Sequence, residues 1–292
     1  MPYGILSGKL RKPMAGRSFS AKWNAQKHAS MAVMFLSLTR RGLALALVVA
    51  APFASARATD CAFEPQGQGH VVDVIDARSF RLADGREIKL SGIEPIASDT
   101  TKAARTADLS AIVAGKDVTL RGEDDAPDRY GRQSAFVFVA GSDTPVQSLL
   151  LKEGAALVSS DVIEKTCAAA LLAAEAEARQ EQKGAWAGPS VIKNAESTDD
   201  ILAGIGHFML VEGTVLSVRQ AGATTYLNFG RRWTRDFAVT ISRRNMLAVE
   251  SAGMVLKSLE NRRIRVRGWV EARPGPRIEV MRAGQIEVLS GN

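Results

Sequence analysis

From residue 70 onward the chain is cut into short apolar runs, each closed by a turn signal, and this pattern occurs twice. Runs this short, rich in Val, Ile and Leu, read as strands rather than helices. In the first set the runs are 70–75, 79–82, 87–91, 116–121 and 134–139, with Asp84-Gly85 as a hairpin signal between the second and third. Helical spacing interrupts them over 99–114, where Ala103, Ala107, Ile112 and Val113 share a side and Gly115 serves as the stop. Two more helices are expected at 146–153 and at 166–182, the latter Ala- and Glu-rich. In the second set the runs are 208–218, 224–229, 237–241, 263–271, 277–280 and 285–289, with a helical insert over 242–259. Five or six short strands with one or a few helices fit a small closed barrel. The expected fold class is therefore mainly β with helices: a barrel plus three helices, then a second small barrel.

Between the sets, Gly188-Pro189 breaks the pattern and 190–200 is polar. The expected organisation is an N-terminal extension over 1–58, a first domain over 59–187, a linker or short connecting helix over 188–206, and a second domain over 207–292.

The formal net charge of +7 suggests a nucleic-acid binder until its distribution is read. Residues 1–58 hold 9 Lys and Arg and no acidic residue; without them the chain has 29 basic and 31 acidic residues. Residues 59–190 hold 14 basic and 21 acidic residues, whereas 191–292 hold 15 basic and 10 acidic. A polyanion is drawn to the second set of strands and repelled on average by the first.

The extension has the order of a secretory signal: Arg40-Arg41, the apolar run 42–50, then small residues with A-x-A sites ending at Ala56 and Ala58. The run is too short for a stable span, so export with cleavage near Ala56 or Ala58 is expected, against an uncleaved anchor. Arg40-Arg41 leaves a twin-arginine route open beside the general one. Met31 and Met34 each give a signal of ordinary length, so residues 1–30 are expected to precede the true start. Cys61 and Cys167 survive cleavage, and in an exported protein such a pair points to a disulfide. Two separate buried thiols are the alternative. His28, His70 and His207 are scattered and the cysteines lack CxxC spacing, which argues against a zinc site.

Four local patterns carry a resemblance over residues 70–187. They are Val74-Ile75-Asp76-Ala77-Arg78-Ser79, Lys89-Leu90-Ser91-Gly92-Ile93-Glu94-Pro95, Asp128-Arg129-Tyr130-Gly131-Arg132, and the tail AEAEARQEQKGAWA. In this order they resemble the thermonuclease, or staphylococcal nuclease-like, family, whose motifs are V-x-D-G-D-T, R-L-x-G-I-D-x-P-E, D-[KR]-Y-G-R and a last helix ending in G-[LI]-W. The family hydrolyses phosphodiesters with calcium, carboxylate ligands, a glutamate acting on the attacking water and two arginines on the phosphate.

Carried over position by position, the resemblance gives a mixed site. Arg78 replaces a calcium-ligand aspartate and Ala77 the glycine before it. Asp76 and Glu94 keep carboxylates as metal-ligand candidates, Glu94 on a longer stem. Lys89 replaces a clamp arginine and loses its bidentate fork. Arg132 is kept, giving Lys89, Glu94 and Arg132 as the catalytic candidates. The family's water-activating glutamate falls on Ala97, with Asp99 two residues on, and an expected tyrosine falls near Ser159. Arg129 and Tyr130 resemble residues that meet a bound nucleotide. Arg132 has an alternative reading, in which D-R-Y-G-R persists for its turn and its packing.

The second domain resembles OB-fold modules, which bind single strands on aromatic platforms and basic grooves. Arg231, Arg232, Trp233 and Arg235 form its candidate nucleic-acid contact; the alternative is a solvated loop whose Trp233 packs on the other domain. Trp269 is expected in the core. The resulting expectation is an exported protein with impaired catalysis that binds nucleic acid, single strands above all, or another polyanion, with no cofactor. The alternatives are an active calcium-dependent nuclease using Glu94, Asp76 and Asp99 with Lys89 and Arg132, and a structural envelope protein that binds other proteins.

Overall fold

The computed structural model describes residues 61, 63–96, 102–160, 162, 164–189 and 191–289. The expected signal segment, Ala97 and Asp99 lie outside the described residues.

The first barrel starts with β1 (Glu64–Asp76), β2 (Ser79–Leu82) and β3 (Glu87–Leu90), and continues through β4 (Ile93–Pro95) and α1 (Lys102–Val113). It is completed by β5 (Asp117–Gly122) and β6 (Arg132–Val139). The closed order is β1-β2-β3-β6-β5. Closure depends on β1, whose first half pairs with β5 and whose second half pairs with β2. That first half, EPQGQGH, has no apolar alternation and was not legible as a strand. Gly67 sits at φ +105° beside a register shift in the β1–β5 ladder, and a Cβ on Gly69 would press on Leu82. The glycines that hide the strand are what let it bend around the barrel.

Phe80, Leu82, Ile88, Leu90, Val118, Leu120 and Val137 fill the interior. Leu109 and Val113 of α1 extend this core, as do α2 (Val146–Lys152) and α3 (Lys165–Gln180). β7 (Ala156–Val158) pairs with β4 as a separate two-stranded ribbon. Cys61 is joined to Cys167 of α3 by a disulfide across 106 residues. Glu164 caps α3 by accepting from the Thr166 and Cys167 amides, which also draws its pKa down.

The stretch expected as a linker or short connecting helix holds a short helix and also a strand. β8 (Ile192–Asn194) adds in parallel to β9 (Phe208–Thr214), and α4 (Thr198–Leu202) buries Ile201 in the second core. β10 (Ser217–Ala221), β11 (Thr224–Asn228), β12 (Ala238–Ser242), α5 (Arg243–Glu250), β13 (Arg263–Ala272), β14 (Pro276–Glu279) and β15 (Ile286–Val288) complete the chain. The sheet order is β10-β11-β12-β14-β13-β9-β8, with β15 also on β13. β9 and β10 are one strand interrupted at Val215-Leu216, so the path from β13 through β9 into β10 closes a ring by chain continuity.

The two rings share one topology. Each has a split first strand, a hairpin to the second, a third strand parallel to the fifth (β3 on β6, β12 on β14), and a helix between third and fourth. This is the OB arrangement, present twice.

The rings pack through Leu157, Ala178, Trp186, Val191, Phe208 and Leu210. At this seam Arg267 of β13 meets Glu175 of α3 in a bidentate pair, with both contacts at 2.9 Å and side chains 5% and 1% exposed. Trp269 is not in the core as expected but 46% exposed. Ile264, Val266, Gly268 and Val270 take the inward phase of β13, which turns Trp269 outward against the edge of Phe208.

Candidate functional site

The turn from β1 to β2 is built on Asp76, whose Oδ1 accepts the Arg78 amide at 2.9 Å. This is the local turn that aspartates favour. The Arg78 carbonyl then accepts from the Leu90 amide of β3. Its guanidinium crosses to β4, where it donates to the Ile93 carbonyl and forms an ion pair with Glu94. Both side chains are largely out of water, Arg78 at 17% and Glu94 at 8% exposure. Glu94 sits on β4, which pairs with β7, and the buried Gln147 of α2 donates to the carbonyl of Ser91, just before β4, and to that of Ala135 within β6.

A hard divalent cation needs several convergent oxygens. Here one oxygen of Asp76 is engaged by an amide, and the Glu94 carboxylate faces a guanidinium. Among the described residues, no three His, Cys, Asp or Glu side chains form a group that could hold a metal. The donor set at this turn therefore does not fit calcium: the positive charge is supplied by Arg78 itself.

Asp128-Arg129-Tyr130-Gly131-Arg132 forms a self-contained corner at the start of β6. Asp128 Oδ1 accepts from the Tyr130 and Arg132 amides, and Oδ2 accepts from Arg132 Nε at 3.1 Å and Nη2 at 2.8 Å. Those Arg132 bonds hold the Asp128 pKa down at about 2. Gly131 at φ +79° supplies the left-handed residue the corner requires. The guanidinium of Arg129 lies over the Tyr130 ring at 4.7 Å and that of Arg132 at 5.1 Å, while the ring stays 65% exposed. The motif thus has a complete structural use, and sequence reading missed Asp128 as its organiser.

The parallel β3–β6 register sets Glu87 beside Arg132 and Lys89 beside Ser134. Lys89 and Arg132 therefore share the outer face of the barrel, two positions apart along the strands. Farther along that face Phe63 stacks on Phe136 at 4.5 Å, on a segment the disulfide anchors to α3. A cavity of about 200 Å³ lies there between Phe63, Ser91, Ser134 and the acidic pair Glu123 and Asp124. Ser159, where an aromatic was expected, is buried, its amide donating to the Gly92 carbonyl.

Residues 96–188 match the family model for staphylococcal nuclease homologues. The first barrel is a thermonuclease-like domain. The match covers the Asp128–Arg132 corner and α3; Asp76, Arg78, Lys89 and Glu94 precede it. No curated protein matches the chain. A thermonuclease-like domain points to nucleic-acid binding or hydrolysis as its general class of function.

Beside the thermonuclease-like domain, the second ring places the four loop candidates in two different settings. Arg231 and Trp233, the latter 72% exposed, line a cavity of about 920 Å³ on the outer face of β10, β11 and β12. Arg232 and Arg235 line a separate cavity of about 530 Å³ together with Glu196, Asp199 and Asp200. Arg232 is further tied to Asp236, through its amide at 2.8 Å and its guanidinium at 3.4 Å. Arg219, Tyr226, Arg273 and Arg277 join the larger cavity. Sequence reading missed these four as site residues; the available signal was their outward phase, since Tyr226 alternates with buried Thr225 and Leu227.

Proposed function

We propose that this is an exported nucleic-acid-binding protein whose thermonuclease-like barrel does not hydrolyse phosphodiesters. The observation that carries this reading is the Arg78–Glu94 ion pair. In calcium-dependent hydrolysis a metal must offer open coordination to the attacking water and the phosphate. A guanidinium balances the carboxylate charge but has no such positions and binds no water as a ligand. Arg132 is engaged by Asp128 within its own corner, and position 97, the family's water-activating place, is an alanine. Lys89 and Arg132 remain on one outer face as cations able to hold a phosphate without cutting its ester.

Export is supported by the charged and apolar order of the extension and by the pairing of both cysteines, which are the only two in the chain. No helix among the described residues is long and apolar enough to cross a membrane. The protein works without calcium in this reading.

The test is the integrity of labelled DNA and RNA, single- and double-stranded, after incubation with the protein in calcium or in chelator. Strands are expected to stay intact in both. Calcium-dependent shortening that Arg132→Ala abolishes would establish the active nuclease instead.

A further inference from the structure

We propose that the groove on the outer face of β10, β11, β12 and β14 binds a single strand of nucleic acid, with bases stacked on Tyr226 and Trp233 and phosphates held by Arg219, Arg231, Arg273 and Arg277. This rests on the nucleic-acid reading above and assigns it a site outside the thermonuclease-like domain.

The strand registers show how the floor is laid. Arg219 stands opposite Tyr226, and Tyr226 opposite Thr240; in the next row Ser217 stands opposite Asn228, Asn228 opposite Ala238, and Ala238 beside Arg277. The middle of the floor is thus small or polar, with an aromatic face on β11 and cations on both flanks. The β11–β12 loop raises Arg231 and Trp233 on one side, and the β13–β14 loop raises Arg273 on the other. The result is an open trough of about 920 Å³.

Its lining carries four arginines against two carboxylates. The two carboxylates that line it, Asp236 and Glu260, are paired with Arg232 and Lys257, neither of which lines the groove. Lys257 also draws the Glu260 pKa down. Arg277 is mostly buried in the floor: its Nη1 donates to the Arg273 carbonyl, and its Nη2 lies 3.8 Å from Glu271, which also stands 3.9 Å from Arg273 Nε. A guanidinium row answers a phosphate backbone, and the aromatic faces choose the strand form. Base faces are available for stacking in a single strand and hidden in a duplex. An anionic glycan would satisfy the arginines as well, so the aromatics decide between them.

Fluorescence anisotropy of the full chain with labelled oligo-dT and oligo-rU of about fifteen nucleotides, within the site size of such a barrel, tests this. Both strands should bind, with affinity falling as salt rises, and a duplex of equal length or heparin should compete weakly. Tyr226→Ala and Trp233→Ala should each weaken binding by roughly tenfold to a hundredfold, and Tyr226→Phe should bind as the parent does. Arg219→Gln should flatten the salt dependence. Strand binding that survives both alanine variants unchanged overturns the groove and leaves the nucleic-acid reading standing. Heparin binding more tightly than either strand, and weakened by the same variants, makes this a glycan site and also overturns the proposal. A chain that binds neither polymer removes the groove and the reading together.

Discussion

At the scale of single residues, the proposed loss of hydrolysis turns on Arg78. Its backbone amide donates to Asp76 Oδ1 and its guanidinium pairs with Glu94, so one residue ties the turn to β4. Replacing it by aspartate, with Ala77→Gly to restore the family's turn, turns a cation–anion pair into converging carboxylates. Calcium titration should then show a higher affinity than the parent's, and full cleavage should not appear, because Ala97 has no proton-transfer group. Calcium affinity unchanged in the double variant would mean that this turn is not the metal turn. The other informative residue is Asp128. Its folded pKa of about 2 lies below the ordinary 3.8 because Arg132 donates to it. A depressed carboxylate pKa gives stability that is fully present above the unfolded value and is lost as pH falls through the folded one. The stability difference between the parent and Asp128→Asn should therefore be constant above about pH 5 and vanish towards pH 2, measured by denaturant unfolding across that range. The sequence showed the cations of this corner but not their partner: the five letters are compatible with either a phosphate clamp or a self-satisfied turn, and only the hydrogen bonds distinguish them.

At the scale of elements, alternation made most strands legible, and composition hid the rest. The first half of β1 is Gly-, Pro- and Gln-rich because it bends, and β8 and α4 lie in a polar stretch because each shows only one side to the core. The run 208–218 reads as one strand but is interrupted at Val215-Leu216, where Val215 turns inward and its amide and carbonyl bond to Arg262 and Asn261. Trp269 is apolar but stands in the outward phase of β13, and the phase decides its exposure. The seam between the barrels was invisible for a related reason, since Arg267 and Glu175 are 92 residues apart and each reads as a surface charge. Glu175 also accepts the Val158 amide at 2.7 Å, so the pair has its hydrogen bonds satisfied. Arg267→Met should cost about 3–5 kcal/mol, because it leaves a buried carboxylate without its main partner. Adding Glu175→Leu should recover most of that loss, as apolar replacement of a whole buried pair does. Equal losses in the single and double variants by denaturant unfolding would show that the pair does not act as a unit.

At the scale of the whole molecule, one topology occurs twice, and the two proposals assign it two uses. The thermonuclease-like ring carries a guanidinium at the turn where the family resemblance implies a metal, and its outer face is partly closed by Phe63 on the disulfide-anchored segment. The second ring, richer in arginine, leaves its equivalent sheet face open. The charge split between residues 59–190 and 191–292 was legible in the sequence as a difference of sign, but the groove was not. It is assembled from β10, β11, β12 and two loops whose residues are up to sixty positions apart, and only the registers bring them into rows. Any site that binds calcium in the folded state and not in the unfolded one must raise stability as calcium is added. Thermal unfolding of the full chain across a calcium titration is thus the most direct measurement of what Arg78 does. If its guanidinium holds the metal's place, the melting temperature stays constant from chelator to excess calcium; a saturable rise would contradict it.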